Sequence, residues 1–326
     1  MMSELFSQEA LKQMACRWLP AHRVPQRFRI HTDTTDFFRV EYDDVALLGG
    51  KAFLIRHNAK ELRFGLDEEV KFWVKRAINL HDGSLRIIKL VFYEEFVRGI
   101  GGIEFKCFRS PEKEARLLDL TSGHENFMQG YSVNDEKGNI VRVLEFIRGE
   151  TLDSHIRKQT LDHQTYFHEY FPSVLDRFMT CIEAIHFIHE LGEIHGDIRR
   201  DHILIDKASG RYLWIDFDYN YHQRRSIFGY DLFGLGNILI FLVGMGDISP
   251  VDLKRAEHPA FEKLSEDDLN IVFKNRIVNL RQIYPYIPES LNRVLMHFSI
   301  GAKQFYEHTD NLIEDLEEFR DGRPPI

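Results

Sequence analysis

The chain has 326 residues, 44% hydrophobic and 29% charged, which excludes a disordered polymer and leaves room for two lobes or two domains. A formal net charge of −9 argues against nucleic acid as the main partner, since phosphate backbones are held by clustered Lys and Arg. The three cysteines, Cys16, Cys107 and Cys181, are too scattered for a disulfide framework or a zinc knuckle, and they suit a reducing cytoplasm.

Glu4, Glu9, Lys12 and Arg17 interrupt residues 1–19, so this stretch does not read as a signal peptide. Phe6, Ala10, Met14 and Trp18 recur at i+4 and predict an amphipathic helix over 3–19 that Pro20 ends. Phe37 to Tyr42, Val45 to Leu48 and Ala52 to Arg56 read as short strands, the last two joined at Gly49-Gly50. Residues 1–63 are accordingly expected to form an N-terminal helix plus a small β extension.

Val70 to Asn79 and Leu85 to Phe92 predict two antiparallel strands joined across Asp82-Gly83. Lys89 lies among Ile87, Ile88, Leu90 and Val91, where a lysine is costly unless paired or liganded. Gly99 to Gly102 reads as the turn of an extra hairpin, and Ser110-Pro111 as a capped helix start. Ile140 to Ile147 is a strand running into a turn at Arg148-Gly149. Leu175, Met179, Ile182 and His189 lie along a helix that ends at Gly192. His186, His189 and His195 lack a Cys or carboxylate at ligand spacing, which argues against a metal centre there.

The most informative stretch runs from His195 to Asp218. Ile203 to Ile205 and Tyr212 to Ile215 form a predicted hairpin turning at Ser209-Gly210, which brings Asp197 at its mouth close to Asp216 at its end. Two carboxylates converging with Arg199 and His202 suit a metal-bound phosphate. Leu232 to Met245, the most apolar run, is too short to span a membrane and reads as a buried helix.

These motifs, in this order over residues 64–320, resemble the protein-kinase-like superfamily. His195-Gly196-Asp197 stands where that family has H-R-D, Asp216-Phe217-Asp218 where it has D-F-G, and Arg86 to Lys89 where it has V-A-I-K. Glu114 to Leu118 matches E-A-x-x-L, and Asp231 to Gly236 matches D-x-x-x-x-G. The resemblance implies an α+β bilobal fold, with a small β-rich N-lobe over 64–147 carrying one αC-type helix and a larger, mostly helical C-lobe over 148–326. It implies ATP as nucleotide with Mg or Mn. Asp197 is then the base, with Arg199 near the transferred phosphoryl group. Lys89 holds phosphates and Glu114 pairs with it, Glu112 being the alternative. Leu144 is the gatekeeper, and the backbone of Glu145, Phe146 and Ile147 bonds adenine. Asp216 and His202 hold the metal.

Several positions depart from the family pattern. Gly65 alone remains of the glycine-rich phosphate loop, and Asp67 to Glu69 place negative charge there, which makes Lys71 and Lys75 candidate substitutes. Gly196 and the short link from Asp216 to Asp231 look like choline- and aminoglycoside-type kinases. His202 replaces a metal-binding Asn, and Asp218 replaces a Gly. No A-P-E motif is present, and Gln304 stands near the place of the Arg that would pair with it. Three functions remain open: a Ser/Thr-protein-kinase-like phosphotransferase, a small-molecule kinase, or a nucleotide-binding pseudokinase acting as scaffold or sensor. Retention of Lys89, Glu114, Asp197 and Asp216 favours activity. The phosphate acceptor, protein or small molecule, is not specified.

Overall fold

Val45, Ala52, Leu54 and Ile78 pack into one core while Ala46, Phe53, Ile55 and Ala77 pack into another, the period-two pattern of a sheet buried on both faces. The computed structural model describes residues 6–62, 68–100, 102–222 and 227–322. The chain divides into two compact units, one of residues 1–94, 109–124 and 128–147, the other of 95–108, 125–127 and 148–326.

The first unit is built on seven strands: β1 (Ile30–His31), β2 (Val45–Leu48), β3 (Lys51–Leu62), β4 (Glu68–Asn79), β5 (Leu85–Lys89), β8 (Gly130–Asn134) and β9 (Ile140–Glu145). Their order is β1-β2-β3-β4-β5-β9-β8, antiparallel except for β1 beside β2. Helix α1 (Gln8–Cys16), capped by Ser7, covers one face through Leu11 and Ala15. Of the predicted helix 3–19, residues 3–5 lie outside the described residues; the helix ends at Cys16, and Leu11 and Ala15 are buried on it beside Phe6 and Met14 of the expected face. Trp18 lies beyond its end, 42% exposed, with its indole N–H donating to the Leu80 carbonyl at 2.9 Å. Helix α2 (Pro111–Leu120) starts at Ser110, whose hydroxyl accepts the Lys113 N–H.

One strand expectation is corrected here. Phe37 to Tyr42 is not a strand: Asp36 accepts the Phe38 N–H and starts a 3₁₀ turn over Phe37–Arg39. That turn sends the Phe37 ring edge-on to Trp73 and Phe92. The strands of residues 1–63 lengthen the sheet of the first unit, β3 pairing with β4 from Phe53↔Asn79 to Leu62↔Glu68.

The second unit holds the expected extra hairpin, β6 (Glu95–Ile100) and β7 (Ile103–Arg109). Strand β7 also borders β13 (Tyr219–His222), giving the order β13-β7-β6. A further small sheet joins β10 (Gly149–Thr151), β11 (Ile203–Asp206) and β12 (Tyr212–Trp214). The helices are α3 (Leu152–Arg157), α4 (Phe171–Glu190), α5 (Gly229–Val243), α6 (Pro250–Arg255), α7 (Glu289–Met296) and α8 (Thr309–Asp321). Leu175, Met179, Ile182 and His189 are all buried along α4, as their spacing predicts. The fold is α+β, a sheet-rich first unit and a mostly helical second. Among the described residues no helix is long and apolar enough to cross a membrane.

Candidate active site

In the first unit, Lys89 ends β5 with its side chain 2% exposed, and its Nζ donates to Glu114 Oε1 at 2.7 Å. Glu114 projects from the first turn of α2, which the Ser110 cap and Pro111 fix in place. This is the pairing the resemblance implies, and Glu112 instead accepts from the Ser110 hydroxyl at the helix start. Sequence reasoning missed a third member. Arg142, on β9 opposite Lys89, donates its Nε to Glu114 Oε2 at 2.9 Å. A charged residue between Val141 and Val143 was the available signal.

Leu144 is buried next to Arg142, Glu145 is exposed, and Phe146 and Ile147 are half-buried. The Glu145 N–H already donates to the Gln129 carbonyl at 2.8 Å, so that donor is spent within the strand pairing. Lys75 is not a free cation for phosphate. Its Nζ is buried, donating to the Val40 carbonyl at 2.6 Å and to Asn58 Oδ1 at 2.9 Å. Gly65 and its neighbours 63–67 lie outside the described residues.

In the second unit, the loop carrying Asp197 is held from beneath by α5. Asp231, fully buried, accepts the main-chain N–H of His195 at 2.7 Å and of Gly196 at 2.8 Å. It also accepts from His189 Nε2 at 3.1 Å. Gly196 has φ +82°, a backbone conformation that an Arg in its place would adopt only at a cost. Gly234 lets α5 approach this loop, since a Cβ there would fall 2.6 Å from Ile198 Cβ.

The hairpin of β11 and β12 then folds back as predicted, with Ile203 opposite Trp214. The Ile215 N–H bonds the His202 carbonyl at 2.9 Å. Asp216 follows with φ +60°, a left-handed conformation that Asp tolerates better than most residues. The imidazole of His202 stands between the two carboxylates, Nδ1 3.4 Å from Asp197 Oδ2 and Nε2 3.7 Å from Asp216 Oδ2. Nδ1 lies 2.9 Å from the Asp197 main-chain carbonyl, which can only accept, so this nitrogen carries the proton. Nε2 is the ring nitrogen on the side of Asp216. That donor set fits a divalent cation whose other ligands come from phosphate or water. Among the described residues no three His, Cys, Asp or Glu converge as a complete metal cage.

Burial, the largest influence, pushes the Asp197 carboxyl above the usual range, and the charges of Asp218 and Asp216 act the same way against His202 and Arg199. For Asp231 burial also pushes upward, yet the His189 hydrogen bond, the two nearby histidines and the Gly196 N–H outweigh it and hold the carboxyl low. Arg199 pairs with Asp201, its Nε donating to Oδ1 at 3.0 Å. Neighbouring Arg200, unremarked in the sequence, grips Asp247 through both terminal nitrogens at 2.9 and 2.8 Å and lies over the Phe241 ring. These contacts tie the loop to the residues just beyond α5.

Strand β13 begins one residue after Asp218. Tyr219 packs edge-on against Phe96, and Tyr221 against Phe105, which is fully buried. Cys107 on the same strand as Phe105 has its thiol pushed up to about 11 by burial, outside the range of a reactive thiolate.

No protein-family model matches the chain. It is 24% identical over 177 residues to a putative ribosomal protein S6 kinase alpha-2 of Caenorhabditis elegans, covering 53% of this chain and 20% of that protein. Over 207 residues it is 26% identical to the 2-5A-dependent ribonuclease of Homo sapiens, covering 61% of this chain and 27% of that one. Over 183 residues it is 25% identical to the ovarian-specific serine/threonine-protein kinase Lok of Drosophila melanogaster, covering 50% and 36%. The chain therefore spans between a fifth and about a third of the length of these relatives. Among solved structures, the Mycobacterium tuberculosis PknI kinase domain aligns with 83% of this chain and 96% of its own length, at 13% identity and a TM-score of 0.46.

Proposed function

We propose that this chain, a member of the protein-kinase-like superfamily, is an ATP-dependent phosphotransferase acting on a hydroxyl group. The observation that carries the reading is the line Asp197, His202, Asp216, with imidazole nitrogens 3.4 and 3.7 Å from the two carboxylates. A scaffold has no use for an upward-shifted carboxyl beside a second carboxylate, whereas a general base does.

In this reading Asp197 accepts the proton of the acceptor hydroxyl. The hydroxyl oxygen bonds to the γ-phosphorus, the bond from that phosphorus to the β,γ-bridging oxygen breaks, and ADP leaves with the bridging oxygen. Lys89, oriented by Glu114, holds the α- and β-phosphates. Asp216 and His202 would hold Mg or Mn, which offsets the charge developing on the phosphoryl oxygens. Arg199, braced by Asp201, supplies positive charge near the transferred group.

The relatives bearing serine/threonine kinase names favour a Ser/Thr-type protein acceptor. One observation favours a small-molecule acceptor instead. The residues just after Asp218 are bound into a sheet with the inserted hairpin, where a protein kinase offers an extended segment to its peptide substrate. Incubation with labelled ATP and Mg²⁺ or Mn²⁺, against generic protein substrates and a panel of hydroxylated small molecules, separates the two. ATP binding without consumption in every combination would sink the enzyme reading and leave a nucleotide-sensing pseudokinase.

A further inference from the structure

We infer that Arg142 is a positioning residue that locks Glu114 toward Lys89, so that this ion pair is permanently assembled and not switched by an outside signal. The inference rests on the phosphotransferase reading only for what the pair holds.

Strands β5 and β9 place Lys89 and Arg142 directly opposite one another. Like charges at facing positions repel, and here both side chains are 2% exposed, with little water to screen them. The Glu114 carboxylate, itself fully buried, resolves the conflict by taking the lysine on Oε1 and the arginine on Oε2. The guanidinium is fixed in turn, donating Nη1 to the Ile140 carbonyl at 2.7 Å and Nη2 to the Leu90 carbonyl at 3.4 Å. Its position is therefore set by strand backbone and does not follow α2.

The consequence concerns regulation. In protein kinases, placement of the helix that carries this glutamate is a control point. Where lysine is the glutamate's one cationic partner, swinging the helix away releases a single cation. Here the same swing would also take the carboxylate from Arg142, which strand backbone keeps buried in place, so the open state is strongly disfavoured. The short link between Asp218 and α5 agrees, since it leaves out the long segment through which phosphorylation acts.

The test combines ATP binding with hydrogen exchange in α2, using Arg142→Met, Arg142→Lys and Arg142→Gln, alongside wild type before and after phosphatase treatment. Arg142→Met is expected to weaken Mg-ATP binding by at least about tenfold and to speed exchange of the amides of residues 111–120 by a similar factor. Arg142→Lys keeps a cation on Glu114 and should recover much of both losses, while phosphatase treatment should change neither. A folded Arg142→Met with wild-type exchange in α2, or ATP binding that falls on phosphatase treatment, overturns the inference. If Arg142→Met does not fold, Arg142→Gln decides: exchange in α2 faster than wild type supports the lock, and the wild-type rate contradicts it. If wild type binds no ATP the nucleotide reading fails, and the exchange rates still settle the role of Arg142.

Discussion

Asp231 Oδ1 accepts the Gly196 N–H at 2.8 Å, so a carboxylate buried at the start of α5 fixes the residue immediately before Asp197. Replacing it by Asn leaves a mismatched amide N–H facing main-chain donors. Asp231→Asn should cost about 2–4 kcal/mol of stability, measurable by urea unfolding near neutral pH. Its carboxyl is held below the ordinary value in the folded state, so its contribution is complete above the unfolded aspartate pKa and drains away as pH falls through the folded one. The gap between wild type and variant should therefore close in acid. A gap that stays constant down to about pH 2 would show that Asp231 does not act through its charge.

Asp197 is shifted the other way. A base works only when deprotonated, so kcat/KM should rise with pH through a value above the normal carboxylate range. Burial is the main cause, and it persists in Asp218→Asn, but the repulsion from Asp218 does not. That variant should move the acid limb of the profile to lower pH. An unmoved limb would mean that another group sets it.

Lys75 makes a distinct prediction, since burial depresses its pKa to about 8. Between about pH 8 and the unfolded lysine value near 10.4 the unfolded chain binds more protons, so the stability due to Lys75 rises with pH across that window. Lys75→Met should lose this rise when melting temperatures of the two proteins are subtracted. The same variant should leave the KM for ATP within about twofold, because Nζ is engaged with Val40 and Asn58. A large increase in KM would return Lys75 to the phosphate site.

His202 sets the metal preference in this account. Imidazole suits Mn²⁺ better than Mg²⁺, which prefers oxygen. Wild type should turn over at least as fast with Mn²⁺ as with Mg²⁺, and His202→Asn should shift the ratio toward Mg²⁺ by about tenfold. Activity with Mg²⁺ alone in wild type would remove His202 from the ligand set.

Much of the site was legible in the sequence. The hairpin after Asp197 announces itself through β-formers on either side of Ser209-Gly210, and the Ser110-Pro111 cap places Glu114 on its helix. Lys89 stands out because a lysine in an apolar strand needs a partner. The residues 28–48 were less readable. Phe37 to Tyr42 has strand composition, but the Asp36 cap and aromatic packing on Trp73 win locally. Residues 1–63 could not be assigned to the larger sheet because the pairing of β3 with β4 is a tertiary fact with no local signature. Arg142 was missed although its place between Val141 and Val143 was a signal like that of Lys89, because its partner Glu114 is distant in sequence. Arg200, flanked by other charges and paired with distant Asp247, carries no such signal.

The central claim is that Asp197 is the base of a phosphoryl transfer. Its most direct test is turnover of labelled ATP by wild type and Asp197→Ala, each with Mg²⁺ and with Mn²⁺, with nucleotide binding followed in the same samples. The account predicts metal-dependent turnover in wild type that falls by at least about a hundredfold in Asp197→Ala while ATP still binds. Equal turnover in the two proteins, or tight binding with none in either, would contradict it.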